Sequence, residues 1–145
     1  MRLSASLLSR SLLCLSLAIV TSGCGRRGDE KPTAVVRGKV TYQGKPLPLG
    51  MVTFTPDNMG PTASGTINSD GTYSLSTYTK DDGATIGTHK VAVIAKEEQT
   101  NFEANAVPTD GRRLIPDKYF LEVTSGLTAD VKAGEENEIN FELTE

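Results

Sequence analysis

The chain has 145 residues, with 15 basic and 18 acidic side chains, a single histidine, two cysteines and no tryptophan. That length suits one domain. The mildly acidic balance, with both signs interspersed, argues against non-specific nucleic-acid binding.

The first stretch is not domain material. Arg2 and Arg10 are the only charges before Arg26, and an apolar run, Ser11 to Val20, follows Arg10. It is too short to span a bilayer, which takes about 20 apolar residues. Its basic start, apolar middle and small-residue exit are those of a secretory signal peptide. The exit reads Thr21-Ser22-Gly23-Cys24, and a polar segment, Gly25 to Glu30, comes next. This pattern resembles the lipobox of bacterial lipoproteins, in which the cysteine is acylated and becomes the new N-terminus. Lipoboxes favour Leu, Val or Ile three places before the cysteine; here that place holds Thr21, and Val20 lies one position further back. The alternative is an ordinary secreted protein with a cysteine beside its cleavage site. Cysteine arithmetic favours acylation: Cys14 lies in the segment to be removed, so Cys24 has no disulfide partner. Two or three acyl chains on Cys24 anchor stably where one would not. Cleavage before Cys24 removes two arginines and no acid, leaving 13 basic and 18 acidic residues and a formal charge of −5. The expected layout is a signal peptide over 1–23, a lipid-anchored tether over 24–34 and one domain over 35–145.

Period-2 alternation begins after the tether. Val36, Gly38, Val40 and Tyr42 share one face of a strand, and Gly44 with Pro46 turns the chain. Met51 to Thr55 forms the next strand, with Val52 and Phe54 on one face, and 56–61 is a loop by composition. Gly65 to Ala95 then reads strand, turn, strand, turn, strand. Its first turn is Asp70-Gly71, where Gly accepts positive φ and Asp bonds its own backbone. Its last strand, Thr88 to Lys96, places His89, Val91, Val93 and Ala95 together, and Ala92 with Ile94 makes the opposite face partly apolar, as in a central strand. Residues 97–118 show no period and form a loop of a length that compact domains seldom keep without use. Two strands close the chain, one carrying Leu127, Ala129, Val131 and Ala133, the other Ile139, Phe141 and Leu143. About seven strands separated by turns, with no helical period, predict an all-β fold, an antiparallel β-sandwich.

The segments Val36 to Pro48 and Val52 to Pro56, with Asp70-Gly71-Thr72-Tyr73-Ser74-Leu75, resemble carboxypeptidase-regulatory-like domains, which are transthyretin-like sandwiches. Gly83-Ala84, Gly87 to Val93, Pro116 to Tyr119, Ser125 to Thr128 and Asn137 to Leu143 resemble the later strands of small bacterial lipoproteins carrying that domain. The likeness covers nearly all of 35–145. It departs at Ile86, where relatives often have Pro, and at Phe120 to Val123, which reads as a strand extension in place of a short polar turn. The resemblance implies a transthyretin-like or immunoglobulin-like sandwich and an accessory or binding role, with no established catalysis.

The chemistry-bearing residues are few. His89 lacks a visible nucleophile and orienting acid, and no Gly-x-Ser-x-Gly elbow occurs, so His89 is expected as a capping or core-edge residue. Asn68 to Tyr73 fails the calcium-loop spacing, because glycine stands fourth and no glutamate closes the loop. Asp57, Asp81 and Asp82 share a cation only if their loops converge; otherwise they are solvated turn acids. One histidine and an acylated cysteine leave no zinc ligand set. Lys39 and Asn140 are candidates for an internal Lys–Asn bond, but both fall on outward faces. The loop around Phe102, Arg112 and Arg113 is either a partner-contact surface or a solvated segment.

The expected function is a non-catalytic binding or structural module of the cell envelope. It sits outside the cytoplasm, held through a covalent lipid on Cys24 to a bacterial outer membrane or to the periplasmic face of the inner membrane. Its partner is a protein or an envelope polymer; no cofactor, metal or nucleic acid is called for. The alternative is an accessory subunit of, or a weak, extracytoplasmic hydrolase acting on carbohydrate or peptide.

Overall fold

Alternation of small apolar and polar side chains decides which backbone segments pair and which face each one buries. The computed structural model describes residues 30–97 and 111–145. Within them the strands are β1 (Thr33–Ala34), β2 (Val36–Tyr42), β3 (Lys45–Pro46), β4 (Gly50–Pro56), β5 (Ala63–Ile67), β6 (Thr72–Ser74), β7 (Ala84–Thr85), β8 (Gly87–Ile94), β9 (Leu127–Val131), β10 (Asn137–Glu138) and β11 (Phe141–Leu143). A 3-10 helix at Asp117–Phe120 interrupts them. The described residues form an all-β fold, and no helix among them is long and apolar enough to cross a membrane.

Two larger sheets share one core. The first is antiparallel, in the order β5-β4-β8-β9. Its central strand β8 buries His89, Val91 and Val93 on one face, with Ala95 following just past its end, as the alternation predicts. The second sheet is centred on β2. There β6 and β3 pair antiparallel, while β10 and β11 pair parallel. This corrects the expectation of a wholly antiparallel architecture. Asn137 returns the chain from β9 beside the start of β2, so the last strands run in the same direction as β2. The buried Asn137 side chain closes that return, accepting from Lys132 N at 2.8 Å and donating to Lys132 O at 3.0 Å. A small third sheet pairs β1 with β7.

The core is assembled from both larger sheets. Phe54 of β4 is fully buried and meets Tyr73 of β6 at 6.5 Å and Phe141 of β11 at 6.0 Å between ring centroids. Val36, Val40, Leu75 and Leu143 complete the wall opposite Val52, Val91 and Val93.

The mixed sheet depends on one glycine. Strands β10 and β11 are interrupted at Ile139–Asn140, opposite Gly38 and Lys39. A Cβ on Gly38 would stand 1.7 Å from Ile139 O. The bulge nonetheless keeps its hydrogen bonds: Ile139 N donates to Arg37 O at 2.8 Å, Tyr73 Oη to Ile139 O at 2.7 Å, and Lys39 N to Asn140 Oδ1 at 2.7 Å. The Asn140 side chain thus supplies the acceptor that a regular strand would have offered from its backbone.

Two other expectations change, and so does the extent of the tether. Residues 97–118 are not wholly irregular: Lys96 and Arg113 form an antiparallel bridge, Leu114 N donates to Ala95 O at 3.0 Å, and Ile115 is buried. Phe120 to Val123 does not extend a strand. The 3-10 turn ends there, and Thr124 N and Ser125 N both donate back to Leu121 O. Lys31 to Ala34, expected in the tether, already lie on the domain, with Ala34 buried.

Gly38→Ala should destabilise the domain by about 1–3 kcal/mol through overpacking against the Ile139 backbone. Gly44→Ala meets no atom within 4 Å and strains only its φ of +75°, so its cost stays near ~1 kcal/mol. Urea unfolding of both variants checks the order; an equal loss in the two contradicts the close approach at Gly38.

Candidate functional site

The polar side chains that read as chemistry in the sequence are mostly consumed by the fold. His89 sits in mid-sheet with no exposed surface, its ring 5.7 Å from that of Phe54. Nδ1 lies 2.9 Å from Gly87 O and Nε2 3.3 Å from Thr85 Oγ1. A carbonyl can only accept, so Nδ1 carries a proton, and the Thr85 hydroxyl is placed to donate to Nε2 when the ring is neutral. His89 is therefore a core residue, buried more deeply than a core-edge position. Burial lowers its pKa from the usual imidazole range, against smaller opposing effects from Gly87 O, Asp57 and Asp130.

The turn acids have equally local roles. Asp70 Oδ1 accepts from Thr72 Oγ1 at 2.6 Å and Thr72 N at 3.0 Å, and the bond from the Thr72 hydroxyl is the main reason its pKa is lowered. Gly71 completes the turn at φ +85°, with Asn68 N donating to Thr72 O at 2.8 Å. Asp82 gathers three backbone amides: Oδ1 accepts from Thr77 N at 2.6 Å, and Oδ2 from Tyr78 N at 3.0 Å and Thr79 N at 2.9 Å. Partial burial pushes its carboxyl up, but the three donors outweigh this and the net shift is downward. Asp82 organises its own loop and is not paired with Asp57 around a shared ion. Among the described residues no group of three or more His, Cys, Asp or Glu side chains is placed to hold a metal.

The expected contact loop is only partly described; Phe102, like Cys24, lies outside the described residues. Arg113 bridges to Lys96, just past the end of β8. Arg113 forms an ion pair with Asp117, and Arg112 stands 4.0 Å from Glu97. The Phe120 ring lies 5.6 Å from Lys96 Nζ and 5.4 Å from Arg113 Cζ. The structure thus joins Arg113 to Lys96 and Phe120 in a cation–aromatic cluster, of which the sequence signalled only Arg113.

An open hollow lies on the outer face of the mixed sheet. Its volume is about 1090 Å³, with Arg37, Lys39, Ser74, Glu136, Glu138 and Asn140 in its lining. Alternation explains the composition, because the inward residues of β2 are Val36, Gly38 and Val40 and the charged ones point out. Arg37 pairs with Glu136 at 2.7 Å, and Asn140 Nδ2 donates to Glu138 Oε1 at 3.2 Å. Asn140 binds the Lys39 backbone, not its amine. The Ser74 hydroxyl is buried with no hydrogen-bond partner. It stands where β5 and β6 separate: Ser64 and Ser76 exchange backbone bonds at one end, and the bond from Asn68 N to Thr72 O closes the other. The hollow is a mixed-charge surface, and the described residues that line it include no histidine or cysteine.

No protein-family model, no curated protein and no solved structure matches the chain.

Two outcomes follow from these environments. Because the folded pKa of His89 lies below its unfolded value, the unfolded chain binds the extra proton. Stability is therefore full above about pH 6.5 and falls as pH drops from there toward the lowered folded pKa. His89→Gln should flatten that part of the urea-midpoint profile, and an unchanged slope would assign it elsewhere. Asp82→Ala should cost about 1–3 kcal/mol by orphaning the amides of Thr77 to Thr79, and exchange of those amides should accelerate with it.

Proposed function

We propose that the protein is a lipid-anchored, extracytoplasmic binding or structural module of a bacterial envelope. In this reading residues 1–23 are removed, Cys24 carries the lipid, and the domain is a transthyretin-like sandwich of the carboxypeptidase-regulatory-like kind. The observation that carries it is the order of segments: basic start, short apolar run, Thr21-Ser22-Gly23-Cys24, and polar residues leading directly into strands. Two facing sheets with one core agree with the sandwich, and the resemblance of the Gly38, Asp70-Gly71 and Gly87 segments supports the family. The parallel pairing of β11 with β2 is a local feature of this chain within that reading.

A binding role draws support from where the polar side chains reach solvent. His89, the natural candidate for a general base, is enclosed by Phe54, Thr85 and Gly87 and has no exposed surface. The mixed-charge hollow beside Lys39 and Ser74 is open, and with the Arg112–Arg113 end it offers surfaces for an envelope polymer or a protein.

Intact mass of the membrane-extracted protein tests the anchor. The reading predicts residues 24–145 plus acyl chains, and Cys24→Ala should release the chain from the membrane fraction. A mature species with an unmodified Cys24 thiol contradicts it.

A further inference from the structure

At the end of the domain that holds Lys31 and Pro32, polar contacts to the chain and exposed apolar side chains occur together. Lys31 and Pro32 are held there by three separate loops. Lys31 N donates to Tyr78 Oη at 2.9 Å, and Lys31 Nζ to Asn58 O at 3.0 Å and Asn58 Oδ1 at 3.2 Å. Ile86 N donates to Pro32 O at 3.3 Å. Each loop presents a large apolar side chain beside these contacts: Met59 is 93% exposed, Tyr78 37% and Ile86 36%. Met59 also stands at φ +53°, a conformation unfavourable for a long side chain. Neither packing nor backbone preference accounts for a methionine at that tip.

We infer that this end of the domain lies against a lipid bilayer, with Met59, Tyr78 and Ile86 entering the headgroup region. The inference rests on the lipid-anchored reading, and covalent geometry then restricts the alternatives. The six residues from Cys24 to Asp29 span at most about 20 Å even fully extended, so an anchor on Cys24 keeps Lys31 and its ring of apolar side chains close to the membrane. A tyrosine whose hydroxyl is already bonded to Lys31 N, a methionine and an isoleucine offer apolar surface that suits the interface. The other exposed large apolar side chains described are elsewhere. Met51 and Ile94 are paired neighbours on the antiparallel sheet, and Leu121 and Val123 follow the 3-10 turn. That turn is tied through Lys118 to Glu145, past the far end of β2. Lys31 carries the opposite charge to Asp57 and Asp130, which flank the same end through Thr88, so this end has no strong charge of one sign and neutral lipid suffices for an apolar contact.

The absence of tryptophan gives a direct test. Met59→Trp, Ile86→Trp and Leu121→Trp each place a single indole in the mature chain. Each variant is attached through Cys24 to phosphatidylcholine vesicles carrying doxyl groups near the headgroups. Attachment uses the native acyl chains or, if Cys24 proves unmodified, a maleimide lipid coupled to its thiol. Intact mass then reports on the anchor, and quenching reports separately on the docking. Emission from the Met59→Trp and Ile86→Trp chains should shift to the blue and lose about half its intensity on attachment, with emission from the Leu121→Trp chain unchanged. Having two positions on the docking end covers the case in which one variant fails to fold. Equal, weak quenching at all three positions, or stronger quenching at 121, overturns the inference.

Discussion

The contact on which the structure depends is that of Phe54 with Tyr73 and Phe141. One ring from the antiparallel sheet meets two from the mixed sheet, and the same ring packs on His89 within its own sheet. Aromatic side chains bury more area than aliphatic ones and prefer tilted or edge contacts, which fixes both spacing and orientation. Without that contact the two sheets would each present a valine-rich face to water. Tyr73 adds a polar link, because its hydroxyl reaches Ile139 O at the one point where the last two strands are interrupted. The hydrophobic contact and the bulge are thus joined through a single side chain, and burial keeps that phenol protonated by pushing its pKa up.

Around this core the polar residues divide into two populations. His89, Asp82, Asn137 and Asn140 serve backbone groups that the all-β fold would otherwise leave unpaired. Arg37, Lys39, Glu136 and Glu138 stand on the outer face of the mixed sheet, lining its open hollow. Among the described residues His89 is enclosed and Asp82 is tied to amides, while the carboxylates Glu136 and Glu138 stand with Arg37 and Lys39 on an open surface of mixed charge.

Much of the fold was legible because strand alternation is local. The buried positions of Val36 and Val40, of Val52 and Phe54, and of His89, Val91 and Val93 all follow from period 2, as does the central place of β8. What escaped depends on residues distant in sequence. The parallel pairing of Phe141 with Val40 joins the two ends of the domain, and no alternation pattern encodes direction. Phe120 to Val123 has the composition of a strand, yet Thr124 and Ser125 bond back to Leu121 and turn it. The tether reads as running to Ala34, because two residues opposite Ala84 and Thr85 are too few to show a period. Asp70 and Asp82 were readable as turn residues, since Asp-Gly and Asp-Asp-Gly carry their own chemistry. Ser74 and the gathering of Met59, Tyr78 and Ile86 were not, because each arises where separate loops or strands meet.

The N-terminal segment, the clasp of β1 on β7 and the exposed apolar loops share one end of the molecule, which makes orientation at a membrane the central claim. Neutron reflectometry of the Cys24-anchored protein on a supported phosphatidylcholine bilayer measures that orientation directly. The account predicts protein density in contact with the headgroups. A hydrated gap of up to about 20 Å, the full reach of the segment from Cys24, separating the bilayer from the domain would contradict it.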